Sequence, residues 1–269
     1  MASLVELHLD KFIIFTLVLT RMSGLVMTAP IFGTRDIPMQ IRALLAFTLA
    51  ALVAPTQWHL QVEPPQNLMN YLVFIGTEAL IGLVLGLGVT ILFVGLQVAG
   101  TLIGRASGLA LSNVFDPSMG AEVALHGQLL NYVTLALFVA IGGHRMLIGA
   151  TLDTFGALPP GSGAIPVGLS SAATDLVALS FSLGLRASAP MVTALLLSTL
   201  VMGIISRTLP QLNIMAVGFG MNSMMTLATM AISITAICYM FQGHVGHVLE
   251  LLGDTIAGAT QRVAAGLGA

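Results

Sequence analysis

The feature that most constrains this chain is an apolar run of thirty-seven residues, Leu68 to Gly104, with a single charged residue, Glu78. As one helix it would be about 55 Å long, whereas the hydrocarbon core of a bilayer is about 30 Å thick. The segment must therefore fold back or extend beyond the membrane. A glycine-rich polar stretch, Gly104 to Gly120, follows it. Such a stretch predicts mobile backbone at a place where a sealed helix bundle would have none. We interpret this junction as a gate.

Composition places the chain in a membrane. Of its 269 residues 57% are hydrophobic and 7% charged, and the mean hydropathy is +0.99, which excludes a soluble globular domain. The net charge of -2 and the single lysine, Lys11, leave no basic surface for nucleic acid. Cys238 is alone, so no internal disulfide is expected. Glu6 and Asp10 stand where a signal peptide would be basic, which predicts a retained first span.

Apolar segments separated by turn signals predict an all-α, polytopic integral membrane protein with one membrane domain over the whole chain. The third segment is long enough to contain a break or a hairpin, but Gly82 and Gly86 have the spacing of closely packed helices, which we favour. Proline- and glycine-rich connections, such as PPGSGAIP, predict exposed turns. The segments are 12–32, 41–54, 68–104, 125–152, 176–205 and 214–241, followed by a C-terminal tail, 242–269.

The usual signals of catalysis and of cofactor binding are missing from the sequence. It contains no phosphate-binding loop, no HExxH, no CxxC and no GxSxG. His244 and His247 could share a helical face, but a structural metal site usually has four ligands. We therefore predict a protein that is not an enzyme, with no catalytic residues, no cofactor and no metal.

Three charged residues interrupt apolar segments: Arg21, Glu78 and Arg186. Each costs about 2.5 to 3.5 kcal/mol at membrane depth on insertion scales, so each should face protein, water or an opposite charge. One interpretation is a polar pathway through an assembly. The other is a structural ion pair of Glu78 with either arginine, and the sequence does not separate the two.

Methionine is unusually frequent, with fifteen residues, and seven of them lie between Met202 and Met240. Because methionine repacks with little strain, a ring of such side chains from several subunits could close around varied passengers. Ordinary filling of gaps in a helix core is the simpler interpretation. The residues proposed for such a seal are Met221, Met224 and Met225.

Three stretches of the sequence carry a family resemblance: AGTLIGRASGLALSNVFDPS, GHRMLIGATLDTFGALPPGS and GIISRTLPQLNIMAVGF. They resemble the FliR family of flagellar export-gate proteins and its relatives in injectisomes, the virulence-type secretion systems. The early pattern of Arg21, Pro30, Ile37-Pro38 and Arg42 extends the resemblance over nearly the whole chain. The order and spacing of these motifs are more specific than any one of them.

The resemblance implies a subunit whose long helical hairpins wind into a hetero-oligomeric export gate with FliP and FliQ. It places that gate in the bacterial inner membrane, within the flagellar basal body. FlhB and FlhA are the further partners implied, and unfolded flagellar proteins are the passengers. A homologous injectisome subunit remains the alternative. A secondary transporter or a self-contained channel is less favoured, because no internal repeat and no charged filter is evident.

The resemblance also implies that the loop after the third segment plugs the pore. Its glycines would supply backbone freedom, its phenylalanine an apolar stopper and its Asp-Pro pair a turn. Without the resemblance the loop would be read as a plain connector. The plug residues are Gly104, Gly108, Phe115, Asp116, Pro117 and Gly120.

A helix break is predicted at RTLPQLN, because proline removes a backbone donor and frees carbonyl groups that polar neighbours can satisfy. We interpret this motif as architectural, and its residues are Arg207, Pro210, Gln211 and Asn213. The sequence departs from the family pattern at Gly218-Phe219-Gly220, where relatives usually have a proline after the aromatic residue. A flexible hinge is therefore expected there in place of a kink.

Overall fold

The structure, a computed structural model, describes residues 2–34, 37–60, 67–107, 125–163, 168–209 and 214–266. These residues form helices connected by turns, which confirms the prediction of an all-α protein. The helices are α1 (Ala2–Thr28), α2 (Met39–Val53), a 3-10 turn (Ala54–Gln57), α3 (Leu68–Ala106), α4 (Leu125–Ala140), α5 (Gly143–Ala157), α6 (Leu169–Thr208) and α7 (Ile214–Gly266).

Several of these helices are suited to a membrane. Within the described residues five are long and apolar enough to cross a bilayer, and α4 with α5 would make a sixth span if the break between them is included. The polytopic membrane class is thereby confirmed. The five stretches are Leu9–Thr28, Met39–Gln57, Leu68–Ala106, Leu169–Thr208 and Gly220–Ile256.

Three helices are much longer than a bilayer is thick. With 39, 40 and 53 residues, α3, α6 and α7 extend over roughly 58, 60 and 80 Å at 1.5 Å per residue. The hydrocarbon core is only about 30 Å thick, so about half of α3 and of α6, and more than half of α7, needs another environment. The alternative of a hairpin inside the third segment is wrong, because α3 is continuous.

The structure also differs from the predicted segments in two places. The segment 125–152 is divided at Ile141–Gly142, where Gly142 has a φ of 74°, a left-handed conformation that glycine adopts without steric penalty. The predicted boundary between the last apolar segment and a C-terminal tail at residue 242 does not appear in the backbone, because α7 continues to Gly266. Alanine, leucine and glutamine favour helix even where hydropathy falls.

The chain divides into two compact units. The first, which we call unit 1, contains α1, α2, the part of α3 up to Thr90, α5, the part of α6 up to Leu176 and the part of α7 from Val245. Its core joins α1 to α2 and α5, because these helices turn their apolar faces toward one another. The fully or almost fully buried members of that core are Ile14, Val18, Met22, Ala50, Val53, Ala54 and Phe155.

Helices α1 and α3 approach each other closely in unit 1 because glycines line the contact. A Cβ atom on Gly24 would lie 2.8 Å from the carbonyl oxygen of Ala79, and one on Gly82 would collide with the carbonyl oxygen of Arg21. Backbone proximity also lets the hydroxyl of Thr90 donate to the carbonyl of Thr28 at 2.6 Å. The close packing predicted from the spacing of the glycines is confirmed.

The second unit, unit 2, contains α3 from Ile91, α4, α6 from Val177 and α7 up to His244. Its described interior is held together without charge. A Cβ atom on Gly184 would lie 2.5 Å from the carbonyl oxygen of Gly95, so α3 and α6 also meet at glycines. The ring of Phe93 makes edge contacts with the rings of Phe138 and Phe241, at 5.6 and 5.5 Å between centroids.

Neutral polar side chains complete the packing of unit 2. The amide of Gln97 donates to the side-chain oxygen of Asn131 at 3.0 Å, and the hydroxyl of Ser198 donates to that of Asn222 at 2.9 Å. Such pairs join helices in apolar surroundings, because each satisfies groups that lipid cannot.

Candidate functional site

A buried ion pair lies in unit 1. Arg21 on α1 and Glu78 on α3 are 0% and 1% exposed, and Nε of the arginine donates to Oε2 of the glutamate at 2.6 Å. Both side chains interrupt apolar helices, so neither charge could remain there alone. The pairing follows one of the two alternatives predicted, whereas pairing of Glu78 with Arg186 is wrong, because Arg186 is exposed on α6 in unit 2.

The two terminal nitrogens of Arg21 have partners on and after α5. Nη1 donates to the hydroxyl oxygen of Thr154 at 3.0 Å, and Nη2 donates to the carbonyl oxygen of Leu158 at 2.9 Å. The ring of Phe155 covers the guanidinium, with its centroid 4.1 Å from Cζ, which places the cation over an aromatic face. All three nitrogens of the guanidinium therefore have hydrogen-bond partners.

Glu78 is satisfied on its second oxygen by backbone. Oε1 accepts from the amide of Gly161 at 3.0 Å, and Gly161 has a φ of 83°, which glycine tolerates and other residues rarely adopt. The connection after α5 was expected to be an exposed turn, and this is wrong for its first residues: Leu158 and Pro160 are buried. The turn contributes a donor and an acceptor to the centre.

This arrangement is a structural ion pair that joins helices. Removing a carboxylate and a guanidinium from water costs several kcal/mol for each ion, and the pair recovers this only when geometry and additional hydrogen bonds are good, as they are here. The five hydrogen-bonding groups of the centre come from α1, α3, α5 and the turn after α5. The centre thus fixes the relative positions of three helices of unit 1.

Other predicted site residues fall at helix ends or outside the described residues. Gly104 is buried in the last turn of α3, and Arg207 is exposed in the last turn of α6. The remaining plug residues (Gly108, Phe115, Asp116, Pro117 and Gly120) and the remaining residues of the helix-break motif (Pro210, Gln211 and Asn213) lie outside the described residues. Their roles stay predictions.

The methionines proposed for a seal lie on the surface of the chain. Met221 and Met224 are 45% and 73% exposed, and Met225 is half-buried. Simple filling of the chain's own core therefore does not account for the first two. Whether they meet in a ring depends on other chains, so the seal stays a prediction.

A groove of about 710 Å³ separates α5 from the end of α7 in unit 1. Three carboxylates, Asp153, Glu250 and Asp254, line it together with small residues. In the described part of the chain no three histidine, cysteine, aspartate or glutamate side chains are placed to hold a metal ion. Nδ1 of His244 lies 2.6 Å from the carbonyl oxygen of Met240 and is engaged within its own helix.

Sequence reasoning identified the two charges of the centre and missed the groups around them. Thr154 is one of many threonines, and Leu158 and Gly161 take part through their backbones, which leave little trace in a sequence. The only signal was Gly161, the first glycine of the PPGSG turn, because glycine is the residue type that a left-handed backbone needs.

Comparison with known proteins finds similar sequences over nearly the whole chain. Residues 12–248 match the family described as "Bacterial export proteins, family 1". "Flagellar biosynthetic protein FliR" of Bacillus subtilis (strain 168) is 28% identical over 93% of this chain and 96% of its own length. The protein of that name from Pectobacterium carotovorum is 30% identical, over 88% of this chain and 90% of its own length, and that of Escherichia coli (strain K12) 28% identical, over 89% and 91%. This chain, with its membrane-length helices, therefore belongs to the FliR family of flagellar biosynthetic proteins.

Proposed function

We propose that this protein is a core subunit of the flagellar protein export gate in the bacterial inner membrane. With FliP and FliQ it would form the closed pore through which unfolded flagellar proteins leave the cell. The observation that carries the proposal is the match of residues 12–248 to a family of bacterial export proteins, together with relatives named for flagellar biosynthesis. Those names favour a flagellar assembly over an injectisome.

The surface of the chain supports a role as one subunit among several. Exposed apolar side chains occur along α6 and α7, including Leu200 at 65% and Ile232 at 80% exposure. Both helices also extend over at least twice the thickness of a bilayer's hydrocarbon core. Apolar surface that lipid alone cannot cover calls for neighbouring protein chains, which a gate with several subunits provides.

In this proposal the work of the chain is structural and gating, without chemical catalysis. The ion-pair centre keeps α1, α3 and α5 in place while the loop that follows Gly104 closes the pore and moves aside for a passenger. A closed pore prevents ion leakage, and a passenger opens it by stabilising the open state. FlhB would clasp the closed pore, and FlhA would sit around it.

Native mass spectrometry of the chain co-expressed with FliP and FliQ tests the assembly. We expect one copy of this chain in a larger hetero-oligomer. A homo-oligomer, or a monomer in the presence of both folded partners, would contradict the proposal and favour a channel or a transporter.

Deletion of residues 109–119 tests the gate itself. If the loop is a plug, the hetero-oligomer should still form, and cells should leak small ions across the inner membrane. Deletion of the connection 61–66 serves as the control and should leave ion permeability unchanged. Intact sealing without the loop would contradict the plug role.

A further inference from the structure

One face of α6 carries an unpartnered stripe of exposed side chains. Its members follow one another at alternating steps of four and three residues, the spacing that keeps residues on one side of a helix. Three of them are large and apolar: Leu197, Leu200 and Ile204 are 64%, 65% and 63% exposed. The stripe, as we define it, consists of Arg186, Pro190, Thr193, Leu197, Leu200 and Ile204, and every member is exposed.

The stripe is distinct from the face by which α6 packs in its own unit. That other face is formed by Leu183, Ala187, Met191 and Leu195, which are all 0% exposed. A helix that buries one apolar face and exposes a second with alternating steps of three and four is shaped to receive a further helix, because such steps let side chains interdigitate.

Among the described residues Arg186, a member of this stripe, has no counter-charge. In the described part of the chain no acidic side chain lies within 4 Å of its guanidinium, since the ion pair of Arg21 with Glu78 is the one found there. The nearest acidic residue along the exposed side of α6 is Asp175, eleven residues earlier and therefore about 16 Å away along the axis. A guanidinium between apolar neighbours needs an anion once that surface is covered.

Pro190 adds an acceptor to the same position. Proline has no amide hydrogen, so the carbonyl of Arg186 lacks the donor that a residue four places later normally supplies. Arg186 therefore presents the donors of its side chain and a backbone acceptor on the exposed side of one helix. A carboxylate satisfies the first, and a hydroxyl or amide beside it satisfies the second.

We propose that the stripe is the docking site for a helix of another membrane protein, one whose apolar surface carries an aspartate or glutamate opposite Arg186. The apolar side chains of the stripe give the contact its area, and the charge pair fixes its register. The inference needs a partner chain and holds whether or not the assembly is an export gate.

Site-specific photo-crosslinking in cells that produce the full chain tests the docking. The reactive residue is placed at Thr193 or Leu197 in the stripe, and at Phe181 or Thr199 as matched exposed controls about 140° around the same helix. We expect at least fivefold more adduct with a different protein at the stripe positions. Mapping of that adduct should place it in an apolar segment that contains an acidic residue.

Several results would overturn the proposal: equal yields at all four positions, adducts with lipid alone, adducts with a second copy of this chain, or a partner segment without an acidic residue. Because the cross-linking uses whatever partners the cell contains, it does not depend on assembly with FliP and FliQ. Failure of the docking proposal is thus distinguishable from failure of the proposed function.

Charge exchange tests the pairing. Arg186→Glu should reduce the cross-link at Leu197 at least tenfold, and Arg186→Gln should reduce it less. Changing the mapped acidic residue of the partner to arginine should restore the cross-link at Leu197 in the Arg186→Glu chain. Arg145→Glu, at an exposed arginine of α5, is the control and should have no effect. If the Arg186→Glu chain does not accumulate in cells, the Arg186→Gln chain at normal abundance serves as the test. An unchanged cross-link at Leu197 in that chain would overturn the pairing.

Discussion

Arg21 and Arg186 both interrupt apolar helices, yet the two units of the chain treat them in opposite ways. In unit 1 the guanidinium of Arg21 is 0% exposed, with partners from α3, α5 and the turn after α5. In unit 2 neutral groups such as Ser198 and Asn222 join the described helices, and Arg186 is exposed. The same residue type thus serves an internal contact in one unit and faces outward in the other.

The difference shows which charged group has its hydrogen-bond partners within the chain, Arg21, and which is left exposed, Arg186. A buried pair with satisfied hydrogen bonds contributes to the stability of the isolated chain, because removing one partner leaves an uncompensated charge. An exposed arginine contributes little until a second chain covers it. Stability and assembly should therefore respond to different substitutions, and this can be measured.

The largest effect is expected for Glu78→Gln, which leaves Arg21 buried without an anion. We expect a loss of about 3 to 5 kcal/mol in the free energy of unfolding, measured by thermal or denaturant unfolding of the purified chain in detergent. Adding Arg21→Gln should recover much of this loss, and adding Arg186→Gln should recover none of it. Purely additive losses with Arg21→Gln would contradict the pairing.

A smaller loss is expected for Gly82→Ala. The new Cβ would meet the carbonyl oxygen of Arg21, so α1 and α3 must separate, at a cost of about 1 to 3 kcal/mol. Gly76→Ala on the same helix is the matched control, because nothing lies within 4 Å of a Cβ there. It should be neutral or slightly stabilising, since alanine favours helix more than glycine does. Equal effects at the two positions would contradict close packing at Gly82.

Unit 2 should lose less from a comparable deletion, because its polar contacts are neutral. For Ser198→Ala, which removes the donor to Asn222, we expect a loss of about 0.6 kcal/mol, the average for hydrogen bonds between membrane helices. Ser206→Ala is the control, because that hydroxyl donates only to Gly203 of its own helix. If Ser198→Ala lowered the free energy of unfolding as much as Glu78→Gln does, the two units would not differ in how much their polar contacts stabilise them.

The smallest effect is expected for Arg186→Gln in the purified chain alone. Its side chain is exposed, so the midpoint of thermal unfolding in detergent should not change measurably. A clear fall in the midpoint would reveal a partner of Arg186 inside the chain. In that case the proposed docking of an acidic helix would lose its physical basis.

Much of the fold could be predicted from hydropathy, because an apolar segment must be helical in a membrane. The third segment, 68–104, corresponds closely to α3, and the second, 41–54, to α2. The break at Gly142 was missed because the apolar run continues through it. Its signal was the pair Gly142-Gly143, which permits a left-handed residue between two helices.

The candidate site could be predicted only in part, for a different reason. Charges in apolar segments are conspicuous, so Arg21 and Glu78 were identified from the sequence, and their mutual pairing was one of two alternatives. Choosing between Arg21 and Arg186 required tertiary structure, since both arginines have similar apolar neighbours in the sequence. The turn that supplies Leu158 and Gly161 acts through backbone atoms, which every residue except proline supplies in full.

The ion-pair centre also has a consequence in time. Arg21 precedes Glu78 by 57 residues and Leu158 by 137 residues. At a synthesis rate of about 5 to 20 residues per second, Arg21 leaves the ribosome roughly 3 to 11 s before Glu78 and 7 to 27 s before Leu158. During this interval Glu78, the carboxylate that pairs with Arg21 in the finished structure, has not yet been made. Until α3 follows, insertion of α1 carries the cost of an unpaired arginine, about 2.5 to 3.5 kcal/mol on insertion scales, and the arrival of Glu78 relieves it.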